Sequence, residues 1–402
     1  WRRGVGAEAA AAYQGETLTF GPNYLIPKPF DPRLSSVVSS AVAEAAMRSG
    51  VATQPIKDID AYRDALKQTV VKSAFLMRPV FEAASSSARR IVFSEGEDER
   101  VLRAAQAVLE ETSEVPIVIG RPEVIHQRCE RLGLDIRPDR DFNIVNPQQD
   151  DRYRDYWTSY HRLLARRGVS PDLAKSIMRT NTTAIGAVMV HRGEADSLIC
   201  GAVGEFRWHL NYIEQILGSK TLSPSGALSL MILEDGPLFI ADTHVWADPT
   251  PLQIAQTAKG AARHVRRFGI EPQVALCSQS QFGNLNSETG KKMRQALDIL
   301  DTEKVAFTYE GEMNIDTALD PDLRARLLPE NRLHGAANVL IFANADAASG
   351  VRNILKMRAG GLEVGPILMG MGNKAHIANP SVTARGLLNL AAIAGTDVKS
   401  YE

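Results

Sequence analysis

An acidic run offers the first group of side chains with enough charge to act chemically. Glu97, Asp98 and Glu99 follow one another in the first turn of a helix predicted at 97–111, shortly after an apolar strand predicted at 91–93. Carboxylates in the first turn of a helix interact favourably with the partial positive charge of its N-terminus. Helix stability alone therefore accounts for this run, and no catalytic role follows from it.

Motifs for several common enzyme chemistries are missing from the sequence. There is no GxGxxG dinucleotide fingerprint, no GxxxxGK[ST] phosphate loop, no HExxH and no GxSxG. The eight histidines include no pair spaced by four residues, the spacing that would suggest a metal site on a helix. The sequence therefore gives no support for a nucleotide enzyme, a zinc protease or a serine hydrolase that depends on these motifs.

The elements that would position functional side chains alternate along most of the chain. We predict helices at 97–111, 251–268 and 288–298. Short apolar runs predict strands at 91–93, 115–119, 187–190, 197–199, 238–241, 274–276, 305–307, 339–342 and 366–369. Strands that alternate with helices are typical of an α/β architecture with mostly parallel strands.

The first 87 residues carry a different pattern. Four prolines between positions 21 and 32 are incompatible with a continuous helix. Helices are predicted at 32–47 and 59–73, and three serines at 85–87 indicate a linker. Two short helices cannot bury their apolar faces alone, so we expect them to pack on another surface. The chain begins with Trp1 rather than Met, which is typical of a fragment or a processed product.

Composition limits the classes of partner. The chain has 402 residues, 46 Lys and Arg against 47 Asp and Glu, and a formal net charge of -1, so no global charge favours nucleic acid or an anionic membrane. We expect neither as a partner, and we find no apolar run of the roughly 18 residues that span a bilayer. The three cysteines are far apart in sequence, which excludes a disulfide framework and predicts a cytoplasmic location.

A family resemblance begins in the same region as the acidic run. The string SEGEDERVLRAA at 94–105 closely resembles the opening of the phosphate acetyltransferase family, whose members move acetyl between coenzyme A and phosphate. Segments 186–202, 240–243, 337–342 and 360–368 resemble further family motifs in the same order. The resemblance implies two α/β/α subdomains around a cleft. The first would comprise 88–230 plus 374–402, and the second 231–373.

The N-terminal segment resembles a different protein. FGPNYLIPKPFDPRL at 20–34 is similar to the end of the bacterial malic-enzyme catalytic region, which one group of malic enzymes joins to a phosphate acetyltransferase-like domain. Residues 1–87 would then be the tail of that region and a helical linker. The resemblance implies that NAD(P) and a divalent metal bind only in a preceding half, and it leaves the choice between NAD and NADP open.

The sequence departs from the family where transacetylation is catalysed. This reaction needs a base for the coenzyme A thiol and donors for charge on the acetyl group. The resemblance implies that active members supply Ser, Arg and Asp, and a gapless match places Asn379, Pro380 and Gly386 at these positions. Proline offers neither charge nor an amide donor, and glycine cannot act as a base. We therefore predict that no residue of this chain catalyses acetyl transfer.

Two alternatives concern these replaced positions. A shift of a few residues in the match would place Ser381 or Arg385 at a catalytic position. A second family arginine corresponds to Asn211, and either Arg207 or His209 could replace it as a phosphate partner.

Other polar positions of the family cleft are retained. The side chains that we expect to bind a ligand are Arg358, Ser280, Asn284, Arg207, Lys374, His376 and Asn379. The phosphates of coenzyme A require Arg or Lys side chains or a helix N-terminus. Lys291, Lys292 and Arg294 could also serve, although a solvated basic helix face is the commoner explanation of such a cluster.

These patterns favour a regulatory module over an enzyme. We expect an acetyl-CoA-binding and oligomerisation domain of a malic enzyme, without transacetylase activity of its own. Acetyl-CoA should inhibit, because malate oxidation feeds pyruvate towards it. The expected partners are acetyl-CoA, the malic-enzyme catalytic domain, and a second copy of the chain in a homodimer or larger homo-oligomer. The alternatives are an active phosphate acyltransferase and an assembly module that binds no ligand.

Overall fold

The computed structural model describes residues 32–112, 115–134, 136–137 and 140–396. The chain divides into two compact units, Trp1–Arg78 and Pro79–Glu402. Most of the malic-enzyme-like segment, residues 20–31, lies outside the described residues.

Two helices account for most of the described part of the first unit. Helix α1 spans Pro32–Arg48, and helix α2 spans Ile59–Ser85 and so continues into the second unit. Asp58 caps α2, because its Oδ1 accepts a hydrogen bond from the amide of Ala61 at 2.9 Å. Both helices begin where the sequence predicts them, and α2 extends beyond its predicted end.

The second unit contains every described strand. In chain order, the strands are β1 (Ile91–Phe93), β2 (Ile117–Ile119), β3 (Asn143–Val145), β4 (Ser197–Cys200), β5 (Gly226–Leu233), β6 (Gly236–Ala241), β7 (Gln273–Cys277), β8 (Thr308–Met313), β9 (Val339–Phe342), β10 (Leu362–Met369) and β11 (Ala375–Ile377). The further α-helices are α3 (Glu99–Thr112), α4 (Pro122–Leu132), α5 (Tyr153–Leu164), α6 (Pro171–Thr180), α7 (Thr182–His191), α8 (Phe206–Leu217), α9 (Pro251–Arg266), α10 (Glu288–Glu303), α11 (Ile315–Leu319), α12 (Pro321–Leu327), α13 (Ala345–Arg358) and α14 (Ala384–Gly395).

The strands form two sheets of mostly parallel strands. The five-stranded sheet is parallel throughout, in the order β11-β4-β1-β2-β3. The six-stranded sheet has the order β10-β5-β6-β9-β7-β8, and only β5 runs antiparallel to its neighbours. Parallel strands need crossover connections, which helices supply here. The predicted α/β class is confirmed. None of the described helices is long and apolar enough to cross a membrane.

The end of the described chain returns to the first sheet. Strand β11 pairs with β4, with Ile377 opposite Cys200, and α14 packs against α3. Strand β5 pairs in the six-stranded sheet, so a subdomain boundary at 230 would fall inside a strand.

Three predicted elements are wrong or misplaced. Residues 187–190 belong to helix α7 and not to a strand. This helix is buried on every side from Thr183 to Val190, and an apolar run without polar positions has no period to distinguish helix from strand. The strand predicted at 305–307 begins only at Thr308. Helix α2 passes the predicted end at 73, because no glycine follows there and Pro79 is accommodated inside it.

Candidate functional site

Asn379 and Pro380, two of the positions that the sequence predicts to replace catalytic residues, lie in the loop that follows β11, at the carboxyl edge of the five-stranded sheet, and the third, Gly386, lies just beyond it in α14. Arg100 fixes this loop. Its Nη1 donates to the carbonyl oxygens of Pro380 at 2.7 Å and Val382 at 3.1 Å, and its Nη2 donates to the carbonyl of Ala202 at 2.7 Å. Asp98 pairs with the same guanidinium at 2.8 Å. The acidic run therefore helps to hold two loops together at this edge.

None of the three replaced positions carries a base. Asn379 Oδ1 accepts from the hydroxyl of Ser381 at 2.6 Å. Pro380 contributes only its carbonyl to Arg100. Gly386 lies in the first turn of α14, where its amide donates to the capping hydroxyl of Thr383 at 3.1 Å. Asn379 and Pro380 therefore belong to a loop, and Gly386 belongs to the capped N-terminus of α14. None of the three residues has an ionisable side chain.

A network of polar side chains joins this loop to the six-stranded sheet. We name it the junction cluster, and it consists of Thr243, His244, Arg352, Lys356, Glu363 and Ser381. Lys356 Nζ lies 3.0 Å from Glu363 Oε2 and 3.2 Å from Ser381 Oγ. Arg352 Nη1 lies 3.4 Å from Glu363 Oε1 and 3.1 Å from His244 Nε2. The Glu363 side chain is only 5% exposed, so two cations compensate one buried carboxylate.

The histidine of the junction cluster is neutral. Burial, and then the charge of Arg352, lower the pKa of His244 to about 3. Since Arg352 can only donate, His244 Nε2 accepts, and Nδ1 donates to Thr243 Oγ1 at 2.8 Å. The Phe206 ring lies 4.7 Å from the imidazole, centroid to centroid. A neutral, fully engaged imidazole is not a free general base.

The structure separates Arg358 from this cluster. Arg358 is exposed in the last turn of α13 and makes no ion pair with another described residue. Arg352 and Lys356 of the same helix face the sheet instead. Arg352, Lys356 and Glu363 are not among the ligand residues predicted from the sequence. The spacing of four residues between Arg352 and Lys356 places both on one helix face. This spacing could have predicted that they act together on one acidic partner.

Ser280 and Asn284 form a different, enclosed group. Ser280 is fully buried, and its hydroxyl lies 2.5 Å from Glu312 Oε1. Arg294 pairs with the same oxygen at 2.7 Å. Asn284 Oδ1 accepts from the amide of Gln281 at 2.8 Å and so shapes the loop. Among the described contacts of Ser280 and Asn284, none is with the junction cluster.

The remaining predicted ligand residues have mixed surroundings. Arg207 is exposed and donates to the carbonyl of Val245 near the junction cluster. His209 is buried between Thr183 Oγ1 and the carbonyl of Val203, each at 2.8 Å, which is a structural role.

Lys374 is half-buried just before β11, and His376 is fully buried within it. Burial, and then the charge of Arg267, lower the pKa of His376 to about 3. Its Nδ1 accepts from the amide of Leu368 at 3.3 Å. His376 is therefore a neutral core residue.

A cavity of about 400 Å³ lies at the carboxyl edge of the five-stranded sheet. It is lined mainly by residues that follow β1, β2 and β3, with Val203 after β4, and ligands of open parallel sheets commonly bind outside the carboxyl ends of the strands. Glu95 lines it and accepts from the amide of Gly201 at 3.0 Å, and burial raises the pKa of Glu95 to about 7. Arg121 also lines it but pairs with Glu97 at 2.8 Å. Nowhere in the described ranges do three His, Cys, Asp or Glu side chains form a possible metal site.

Comparison with known proteins agrees with this architecture. The family described as Phosphate acetyl/butaryl transferase matches residues 75–395. The phosphotransacetylase of Streptococcus pyogenes has a similar structure, with a TM-score of 0.73, 25% identity, and coverage of 80% of this chain and 97% of that one. The EutD phosphotransacetylase of Staphylococcus aureus gives a TM-score of 0.71 at 25% identity, with coverage of 80% and 98%.

Curated relatives with higher identity are malic enzymes. The chain is 51% identical over 388 residues to an NAD-dependent malic enzyme of Rhizobium meliloti, covering 96% of this chain and 50% of that protein. It is 44% identical to an NADP-dependent malic enzyme of Salmonella typhimurium, covering 97% and 52%. The chain thus spans about half the length of these relatives. Its fold and the match over most of its residues show that the chain belongs to the phosphate acetyl/butaryl transferase family.

Proposed function

We propose that the chain is the acetyl-CoA-binding, regulatory part of a malic enzyme and does not itself transfer acetyl groups. Its identity of 51% and 44% to two malic enzymes supports the proposal that the chain is part of a malic enzyme. Its family membership supports acetyl-CoA as the ligand, because the transferase reaction uses that compound. The NAD(P) and metal sites of malate oxidation would then belong to a region that precedes this sequence.

The residues at three positions after β11 argue against transacetylation. Asn379, Pro380 and Gly386 have no ionisable side chain, and their local contacts hold a loop and cap a helix. Loss of a general base costs about 10²–10⁴ in rate, and loss of a charge-stabilising donor about 10²–10³. Either loss alone would reduce turnover at least about a hundredfold, and we expect the two together to leave it marginal.

The regulatory role includes self-association and inhibition. We propose a homodimer or larger homo-oligomer, since closed symmetric assemblies are the commonest oligomers. Acetyl-CoA would inhibit the oxidation of malate, whose product pyruvate feeds acetyl-CoA formation. Light scattering of this chain at micromolar concentration tests the assembly, and a monomeric mass would contradict it.

Calorimetric titration of the 402-residue chain with acetyl-CoA, beside a transacetylase assay, tests the main proposal. We expect binding heat and no acetyl-CoA formation from acetyl phosphate and coenzyme A above background. At ligand 100-fold above its dissociation constant, binding should stabilise the fold by about 2.7 kcal/mol. Arg358→Ala should weaken binding if Arg358 holds a phosphate, whereas Arg326→Ala, which removes another exposed arginine, should not. Absence of binding heat and of a melting shift would leave only an assembly role.

One contact favours an alternative activity. Ser381 lies 3.2 Å from the ammonium of Lys356, so a hydroxyl and a cation do meet near the family's catalytic position. An active phosphate acyltransferase would use this pair. Robust turnover in the same assay, lost in Ser381→Ala, would favour this alternative and overturn the regulatory proposal.

A further inference from the structure

A second cavity, of about 420 Å³, lies beside α9 in the second unit. We name it the α9 pocket. Neighbouring residues of β6 show that α9 and α13 cover opposite faces of the six-stranded sheet. Ile240 belongs to the core that Leu355 of α13 packs against. The Phe239 ring lies 5.4 Å from that of Phe268, just beyond α9. The α9 pocket is therefore across the sheet from the junction cluster.

One wall of the α9 pocket is a polar, basic stripe of α9 and its C-cap residue, Arg267. Gln256, Lys259, Arg263 and Arg267 line it, at spacings of three and four residues that place them on one side of the helix. Lys259 is 32% exposed and pairs with Glu303 at 2.6 Å. Lys220, on the loop opposite, also lines the pocket. It is exposed and makes no ion pair with another described residue.

The other walls are held firmly by hydrogen bonds. The amide of Ser225 donates to the carbonyl of Met369 at 3.0 Å, and the Ser225 carbonyl accepts from Thr257 Oγ1 at 2.6 Å. The Ser225 hydroxyl is buried, lines the pocket, and has no hydrogen-bond partner among the described residues. Asn373 Oδ1 lies 3.2 Å from Arg267 Nη1, and the side-chain nitrogen of Asn373, Nδ2, donates to the Ile393 carbonyl at 3.0 Å. The polar groups of the pocket are thus fixed in place before any ligand binds.

We propose that the α9 pocket binds the phosphate groups of a small anion. Its described lining carries four cations and includes neither Asp nor Glu. Several cations and a buried hydroxyl match the charge and the many acceptor oxygens of a phosphate ester or diphosphate better than those of one carboxylate. A volume of about 420 Å³ is within the range of small-molecule sites, about 300–1,000 Å³.

The phosphate could come from two sources. It could belong to a free phosphorylated metabolite, or to the 3′-phosphate and diphosphate of coenzyme A. The chemistry recognised by the pocket is the same in both cases. The inference goes beyond the proposed regulatory role, because phosphate binding here does not require that acetyl-CoA inhibit anything.

Calorimetric titration of the 402-residue chain with sodium pyrophosphate tests the pocket directly. The test variant is Lys220→Glu/Lys259→Glu. The matched control is Lys57→Glu/Lys175→Glu, which makes the same charge change at two exposed lysines, one of them paired with Asp172 at 3.0 Å. We expect pyrophosphate affinity to fall at least about tenfold in the test variant, as for loss of a charge-assisted hydrogen bond, and to be retained in the control.

A milder substitution, Lys220→Met, guards against misfolding of the double variant, because this exposed lysine has no ion pair to lose among the described residues. Parallel titrations with acetyl-CoA and its 3′-dephospho form distinguish the two sources. Weaker acetyl-CoA binding in the test variant would identify coenzyme A as the source. Unchanged acetyl-CoA binding with lost pyrophosphate binding would identify a free metabolite, and both results support the pocket. No pyrophosphate binding by the natural sequence, or equal binding by test and control variants, would overturn it.

Discussion

The ammonium of Lys356 lies 3.2 Å from the hydroxyl of Ser381. This contact joins α13, which covers the six-stranded sheet, to the loop that leaves the five-stranded sheet. It lies beside Asn379, whose side chain accepts from the same hydroxyl. The loop after β11 is therefore part of a link between the two sheets.

Lys356→Met should destabilise the second unit by about 1–3 kcal/mol. The substitution leaves the Glu363 carboxylate, only 5% exposed, with Arg352 as its remaining cation. Removing one partner from a fully buried pair costs about 3–5 kcal/mol, and Lys356 is 33% exposed, which reduces the effect. Lys175→Met, which breaks an exposed pair with Asp172, should cost at most about 1 kcal/mol. Equal free energies of unfolding for both variants, measured with denaturant, would contradict the role assigned to Lys356.

Arg294→Met should destabilise by about 1–3 kcal/mol, because Glu312 would stay buried with Ser280 and the amide of Gly283 as its donors among the described residues. Arg294 is 34% exposed, which reduces the cost below that of a fully buried pair. Ser280→Ala should cost about 1–3 kcal/mol for the same buried carboxylate. The informative measurement is Ser280→Ala in both unfolding and acetyl-CoA titration. Lower stability with unchanged affinity is expected from its enclosed position. Lower affinity with unchanged stability would instead make Ser280 a ligand residue.

Glu95→Gln should change the pH dependence of stability. Burial raises the pKa of Glu95 from 4.5 to about 7 in the folded chain, so the folded state holds this proton more tightly than the unfolded state. The resulting stabilisation is fully present below about pH 4.5 and is lost as the pH rises through about 7. Glutamine has no proton to lose, so the variant should gain stability relative to the natural sequence across this window.

Denaturant unfolding at several pH values measures this difference. Glu123→Gln provides the control, since Glu123 is an exposed carboxylate in the first turn of α4. Its profile should run parallel to that of the natural sequence. A parallel profile for Glu95→Gln as well would refute the predicted linkage.

Gly201→Ala should destabilise more than Gly193→Ala. Both glycines have a positive φ, 88° and 75°, which disfavours a side chain by about 1–2 kcal/mol. A Cβ at Gly201 would also lie 2.6 Å from the carbonyl oxygen of Ala378, whereas one at Gly193 meets nothing within 4 Å. We expect the melting temperature to fall further for Gly201→Ala, because its backbone lies against the neighbouring loop. Identical melting temperatures would show that this approach is not as tight as the structure indicates.

Local sequence chemistry sufficed for several features. The alternation of apolar runs and helical patterns predicted the α/β class. Each strand must bury its side chains, and a helix that connects two parallel strands packs on the sheet and buries them. That Pro380 and Gly386 carry no ionisable side chain is also evident from the sequence, since a residue type alone excludes base chemistry. Part of helix α7 was wrongly predicted to be a strand, because complete burial removes the polar positions that reveal a helical period.

Tertiary structure decided which charges meet. Arg358 and Lys356 are two residues apart, yet only Lys356 reaches Glu363, since two residues on a helix point in directions about 200° apart. Ser280 was predicted to bind a ligand, whereas its hydroxyl is enclosed against Glu312 from β8. Sequence spacing reports neighbours along one element, whereas these contacts depend on how separate elements pack. By itself the sequence therefore determined the family and the α/β class, and the packing of α13, β10 and the loop after β11 decided which charged side chains meet in the junction cluster.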